Sequence, residues 1–252
     1  MTLIARMGAL LGIAFAFAAA PAVADPLDGQ IGITLNPILG GFHDSYNDQI
    51  HLPPIPVPLL EGNLRYSLFE LTAYGLPPTI PIPYTDAIQG SVALRLSILN
   101  ATLRVWDPSG RFAIGAGELV YNQTTSYARG DAFALTGTGG QTQYSRIAGA
   151  HYQAATRLPM HADRLEVYLD YAPVLLGTQV STYTDGSPTR FNPERGEQIE
   201  TNVQFTHHVG RHTDMIFGVR YVNFTAAYDI PSKPLSDRNA AVLPSFGYLW
   251  RL

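Results

Sequence analysis

From Gln30 to the last residue, apolar and polar side chains alternate with a period of two. That is the spacing of strands whose two faces meet different surroundings. Leu60, Leu64 and Tyr66 share one face, and Glu61, Asn63, Arg65 and Ser67 the other. Tyr144, Ala148, Ala150, Tyr152, Ala154 and Leu158 oppose Gln143, Ser145, Gly149, His151, Gln153 and Arg157. Leu165, Val167, Leu169 and Tyr171 oppose Glu166, Tyr168 and Asp170, while Ile199, Val203 and Phe205 oppose Gln198, Glu200, Asn202, Gln204 and His208.

The pattern predicts ten strands, at 29–42, 57–67, 69–78, 87–106, 111–127, 141–158, 164–182, 197–208, 214–229 and 239–252. Short connections fall at 67–68, 107–110, 160–163 and 209–213, and longer ones at 43–56, 79–86, 128–140, 183–196 and 230–238. Short turns at one end and long loops at the other suit an antiparallel up-and-down transmembrane β-barrel, and an even count puts both chain ends on the short-turn side. Eight or twelve strands are the alternatives. No strong turn residue marks 67–68, and in 87–106 the apolar parity passes from Val92, Leu94, Leu96 and Ile98 to Leu99, Ala101, Leu103 and Val105. A β-bulge near Ile98–Asn100 is the expected cause of that slip, with a hidden hairpin as the other.

The first 24 residues depart from the alternation. Arg6 precedes an uncharged run from Met7 that ends in Ala22-Val23-Ala24, the layout of a cleaved secretory signal. A retained anchor is the rival reading, against which Pro21 and its small neighbours stand. The expected mature chain, 25–252, is a single β-barrel domain. Prolines rule out a spanning helix at 50–60.

Only 14% of residues are charged and the formal charge is −4, which disfavours a nucleic-acid partner. Without Cys there are no disulfides, thiolate metal sites or cysteine nucleophiles.

The chain end adds specificity. Phe246, Tyr248, Trp250 and Leu252 alternate on one face, with Ser245 and Gly247 before the last pair. Ser245, Gly247, Trp250 and Leu252 resemble the C-terminal assembly signal of bacterial outer-membrane β-barrels, with Leu where that pattern usually ends in Phe. The resemblance implies insertion into outer-membrane lipid by the barrel-assembly machinery, here as an expected monomer. A soluble periplasmic sandwich or lipocalin-like barrel, with the apolar faces turned inward, is the rival fold.

In a membrane barrel the polar faces line the lumen. The expected lumen charges are Glu61, Arg65, Arg157, Glu166, Asp170, Glu200 and Arg251, joined by His151, and the expectation is that they pair and hold a narrow lumen shut in place of apolar packing. His207 and His208 point to opposite faces and so do not chelate one ion together; neither a metal nor a cofactor is expected. His43, Asp44, Asp48, His51 and Asp86 are the candidates for a rim site, the arrangement by which some ten-stranded outer-membrane proteases activate a water. No nucleophile elbow or phosphate-binding loop is present. The proline-rich stretches His51–Pro58 and Gly75–Pro78 read as stiff rim segments or a partner surface. Three functions remain open: a non-enzymatic envelope protein or narrow pore, a rim or lumen hydrolase, and a soluble periplasmic ligand binder.

Overall fold

The computed structural model describes residues 27–44, 50–51, 56–76, 81–86, 90–127, 141–161, 163–183, 188–191, 193–228 and 235–252. The expected signal segment lies outside them. The described elements are strands: β1 (Asp28–Pro37), β2 (Leu39–Asp44), β3 (Ile50–His51), β4 (Pro56–Tyr66), β5 (Phe69–Leu76), β6 (Pro81–Asp86), β7 (Gly90–Trp106) and β8 (Phe112–Tyr127). They continue as β9 (Gln141–Met160), β10 (Asp163–Ala172), β11 (Leu176–Tyr183), β12 (Pro188–Phe191), β13 (Pro193–Gly210), β14 (Thr213–Tyr228) and β15 (Leu235–Arg251).

Ten of these form a closed antiparallel ring in the order β1-β4-β5-β7-β8-β9-β10-β13-β14-β15, and β15 pairs back onto β1 with Ile33 opposite Tyr248. Each strand read from the sequence has its counterpart in that ring. β2 prolongs β1 along β15 in unchanged register, as Leu35↔Phe246 and Leu39↔Val242 show. β6, β11 and β12 extend the sheet on the long-loop side by pairing with β7, β9 and each other, and β3 pairs with β2.

The turn at 67–68 is real although no Gly or Asn marks it: Ser67 itself takes a left-handed φ of 55°, as His161 does at 61°. The 107–110 turn is more conventional. Gly110 sits at φ 67°, where a side chain is disfavoured, and its N–H donates to Asp107 O at 2.9 Å. The Asp107 carboxylate accepts from the N–H groups of Phe112 (3.0 Å) and Arg111 (2.8 Å) and from the Ser109 hydroxyl. The hydrogen bond from Phe112, then that from Ser109, holds its pKa down at about 2.

Along the short-turn half of the wall the apolar face looks out and the polar face in. Ile31, Ile33, Leu64, Leu71, Leu99, Ile114, Tyr152, Leu169, Val203 and Phe217 are exposed, as are Phe246, Tyr248, Trp250 and Leu252. Between them Gln30, Glu70, Arg104, His151, Asp170, Glu200 and Arg220 are buried. This is the inside-out arrangement of a barrel with lipid around it.

Higher up the assignment reverses. The inward series passes from Asn100 to Ile98 on β7, from His151 to Ile147 on β9, from Asp170 to Ala172 and Leu175 beyond β10, and from Arg220 to Phe224 on β14. Leu119, Ile147, Ala172, Leu175, Phe224 and Ala226 pack into one cluster with Ile98 against it, and the Tyr121 and Phe224 rings stack 6.1 Å apart. Val57, Leu59 and Leu76 are likewise buried. On the outside at this height Arg146 and Arg238 are exposed and Glu197 is partly so.

This reversal corrects the bulge expected near Ile98–Asn100. β7 runs against β8 without a register break from Val92↔Tyr127 to Trp106↔Ala113. The change of apolar parity in the sequence is a change in which face is apolar. A bulge does occur elsewhere, within the stretch read as one strand at 164–182. Against β9, Tyr171 pairs with Tyr152 and Leu176 with Ala148, so five steps on one strand match four on the other. The extra residue lets Leu175 follow Ala172 into the interior.

The wall is taller than a membrane requires. β9 has 20 residues, β13 has 18, β7 and β15 have 17, and β8 and β14 have 16. A tilted spanning strand needs about 9–11. At about 3.3 Å per residue and about 40° tilt, the surplus raises the wall about 20 Å beyond the apolar band. The raised collar has an apolar interior, and its described outer face mixes Arg146, Glu197 and Arg238 with exposed Val174 and Leu176.

Candidate functional site in the lumen

Alternation on neighbouring strands delivers charges to the lumen at matching heights. Glu70, Arg104, Arg157 and Glu166 come from β5, β7, β9 and β10. Arg104 Nη1 lies 2.6 Å from Glu166 and 3.4 Å from Glu70, while Arg157 Nη2 lies 2.9 Å from Glu166 and 3.0 Å from Glu70. Each carboxylate therefore bridges two guanidinium groups. Trp106 Nε1 donates to Glu70 at 2.7 Å, and the Arg157 guanidinium lies 4.1 Å above the Trp106 ring. Gln153 Oε1 accepts from Arg104 Nε at 2.5 Å.

A second cluster lies across the lumen. Arg220 Nη2 donates to Glu61 at 3.1 Å, and its Nε is 3.3 Å from Glu200. Tyr168 donates to Glu200 Oε1 at 2.7 Å and Tyr74 donates to Oε2. The Arg220 guanidinium is 4.0 Å above the Tyr74 ring.

Asp170 is held differently. It accepts from Gln153 at 3.3 Å and Asn100 at 3.4 Å, with His151 Nε2 at 3.5 Å and no Arg among its partners. Thr102 Oγ1 lies 2.8 Å from the same His151 Nε2. A hydroxyl, an imidazole and a carboxylate thus meet, but both contacts fall on one ring nitrogen, and Nδ1 has no partner among the described residues. A nucleophile–base–orienter relay needs the acid on the opposite nitrogen. The three side chains are also all buried. They do not form a catalytic triad. The His151 ring lies flush against Gly117, where a Cβ would stand 2.6 Å from Nε2 and 1.9 Å from Ala101 O.

At the short-turn mouth Asp214 gathers Gln30 (2.7 Å), His208 (2.7 Å) and Arg251 (2.9 Å). Those side chains come from β1, β13 and β15, so one carboxylate ties both sides of the seam where the first and last strands meet. On the outside, His207 pairs with Asp163 at 2.8 Å.

Of the residues read from the sequence, Arg157 with Glu166 stand together, and Glu61 with Glu200 share Arg220. His151 and Asp170 form their own cluster. Arg251 sits at the mouth, and Arg65 makes no ion pair among the described residues, donating instead to Ser67 O at 3.2 Å. The missing partners, Glu70, Arg104, Arg220 and Asp214, are not among the residues singled out from the sequence. Alternation alone would have found three of them: Glu70 lies between Phe69 and Leu71, Arg104 between Leu103 and Val105, and Arg220 between Val219 and Tyr221. The lumen is also not filled by charge alone, because the apolar cluster lies above the network.

Of the rim candidates, Asp48 lies outside the described residues. β2 places His43 opposite Arg238 and Asp44 opposite Asp237, β3 places His51 opposite Gly41, and β6 places Asp86 opposite Gly90. Among the described residues no group of three His, Cys, Asp or Glu could hold a metal ion.

No family model matches the chain, and no curated protein matches it. Solved structures do. The outer-membrane protease OmpT from Escherichia coli aligns over 92% of this chain and 99% of its own, at 7% identity and a TM-score of 0.64. The toluene transporter TodX from P. putida aligns over 92% of this chain and 91% of its own, at 9% identity and a TM-score of 0.39. The closed ten-stranded ring and its likeness to OmpT give this chain the fold of an outer-membrane β-barrel.

Proposed function

We propose that this protein is a non-conducting, non-enzymatic barrel of the bacterial outer membrane that carries a raised collar on its long-loop side. One observation carries the reading: ion pairs cross-link neighbouring strands inside the membrane half, and apolar side chains pack together above them. Both layers support an obstructed path, and water-filled channels belong to barrels of about sixteen strands. Its outward band of exposed Ile, Leu, Val and aromatic side chains supports residence in lipid and speaks against the soluble ligand binder. Signal-peptide cleavage, assembly through the C-terminal residues and a monomeric state belong to the same proposal.

Planar-bilayer recording of the refolded mature chain tests it, with no unitary conductance expected. Steady channel openings would replace this reading with the narrow pore. A rim hydrolase is the second reading, favoured by the β2–β3 hairpin that brings His43, Asp44 and His51 onto neighbouring strands. Peptide cleavage by the refolded barrel that His43→Ala and Asp44→Ala abolish would establish it.

A further inference from the structure

We infer that the polar cavity in the lumen binds a small carboxylate-type monoanion. The cavity measures about 60 Å³ and lies between the two charge clusters, with Arg164, Arg220, Asn63, Tyr74 and Asn202 in its wall. Its unmet hydrogen-bonding demand has one sign. Among the described buried side-chain atoms without a partner, those on cavity-lining residues and outside any ion pair are Arg164 Nε and Arg220 Nη1, since Arg220 Nε already faces Glu200. Both are donors, and a guanidinium in a protein does not deprotonate to become an acceptor. The occupant must therefore accept, which excludes a metal or ammonium ion.

Geometry fixes the direction of the Arg220 donor. Arg220 is only 5% exposed. Glu61 holds its Nη2 at 3.1 Å and the Tyr74 ring lies 4.0 Å beneath its plane, so Nη1 cannot turn to another partner. Arg164 makes no ion pair among the described residues, and its one hydrogen bond is a long 3.5 Å contact from Nη2 to Gln30. Glu166, Glu70 and Asp214 act on it only at longer range than a direct ion pair.

Charge and size narrow the class. The wall's carboxylates Glu61, Glu70 and Glu166 are matched by Arg104, Arg164 and Arg220, so an anion enters a balanced surface beside Arg164, which makes no direct ion pair among the described residues. At about 10–15 Å³ per water position, the space holds about four to six such positions. That exceeds a halide and suits three or four heavy atoms: formate, acetate or bicarbonate. Two guanidinium groups on separate strands can each serve one oxygen of such a group.

The test uses the full mature barrel refolded in lipid and titrated with 13C-formate, with binding read by saturation transfer. Saturable binding is expected, competed by acetate and bicarbonate but not by gluconate, and weakened at least about tenfold by Arg164→Gln, the loss of a charged hydrogen bond. Heat-dependent gel mobility checks that this variant is folded; should it not be, Arg164→Lys replaces it. A crystal soaked in formate then locates the anion. Absence of saturable binding, unchanged binding in the folded Arg164 variant, or water alone beside Arg164 Nε and Arg220 Nη1 would overturn the proposal. The readout does not depend on whether the barrel conducts.

Discussion

The two halves of this barrel share one wall and obey opposite rules. In the short-turn half, Glu70, Arg104, Arg157 and Glu166 face in and Ile31, Ile114 and Trp250 face out. In the collar, Leu119, Ile147, Leu175 and Phe224 face in, while Arg146 and Arg238 face out. β7 passes from one regime to the other without a break in its pairing with β8. Strand geometry is thus indifferent to polarity; the surrounding medium decides which face is apolar. Where lipid surrounds the wall, apolar groups go outside and the interior holds polar groups that must satisfy one another. Where water surrounds it, the hydrophobic effect puts the apolar face inside.

That contrast predicts different penalties for truncating the two interiors. Arg157→Ala leaves Glu70 and Glu166 buried with one guanidinium fewer. Its cost is expected to be the largest, about 3–5 kcal/mol, measured by urea unfolding of the refolded barrel in lipid. Phe224→Ala in the collar removes an aromatic ring from packed apolar surroundings and is expected to cost about 3 kcal/mol in the same assay. A collar truncation that cost nothing would mean the apolar cluster does not pack as a core. On the lipid side of the membrane half, Val167→Ala should cost about 1 kcal/mol, in line with the loss of two methyl groups that face lipid rather than core. If Val167→Ala cost as much as Arg157→Ala, the two faces would be misassigned.

The smallest expected effect lies outside both halves, at the 107–110 turn. Asp107 has a folded pKa of about 2, against an unfolded value of about 3.9. Because the folded value is depressed, the turn's contribution is complete above the unfolded pKa and is lost as pH falls through about 2. Stability measured between about pH 5 and pH 2 should therefore decline less steeply in Asp107→Asn than in the parent. An identical slope would show that the turn carboxylate does not contribute.

Much of the wall was legible in the sequence because period-two alternation depends only on local strand geometry. All ten ring strands and the inward placement of Glu61, Arg157, Glu166, Asp170 and Glu200 follow from it. The Ser67 turn was legible only through topology, since Ser carries little turn signal of its own. The parity slip at Ile98/Leu99 was visible but pointed to the wrong cause: a sequence shows that the apolar face changes, and a bulge and a change of medium write the same pattern.

The sequence by itself determined the strands, their two faces and the outward aromatic terminus, because each depends on residues a few positions apart. Only the tertiary structure decided that Arg220 serves Glu61 and Glu200 and that Glu70 and Glu166 share Arg104 and Arg157. It alone placed Asp214 across the β1–β15 seam, moved the bulge to 172–176 and left Arg164 without an ion pair among the described residues. Those outcomes depend on the shear with which ten strands close, which sets the height of every inward side chain against those across the lumen. No stretch of a single strand encodes that relative height.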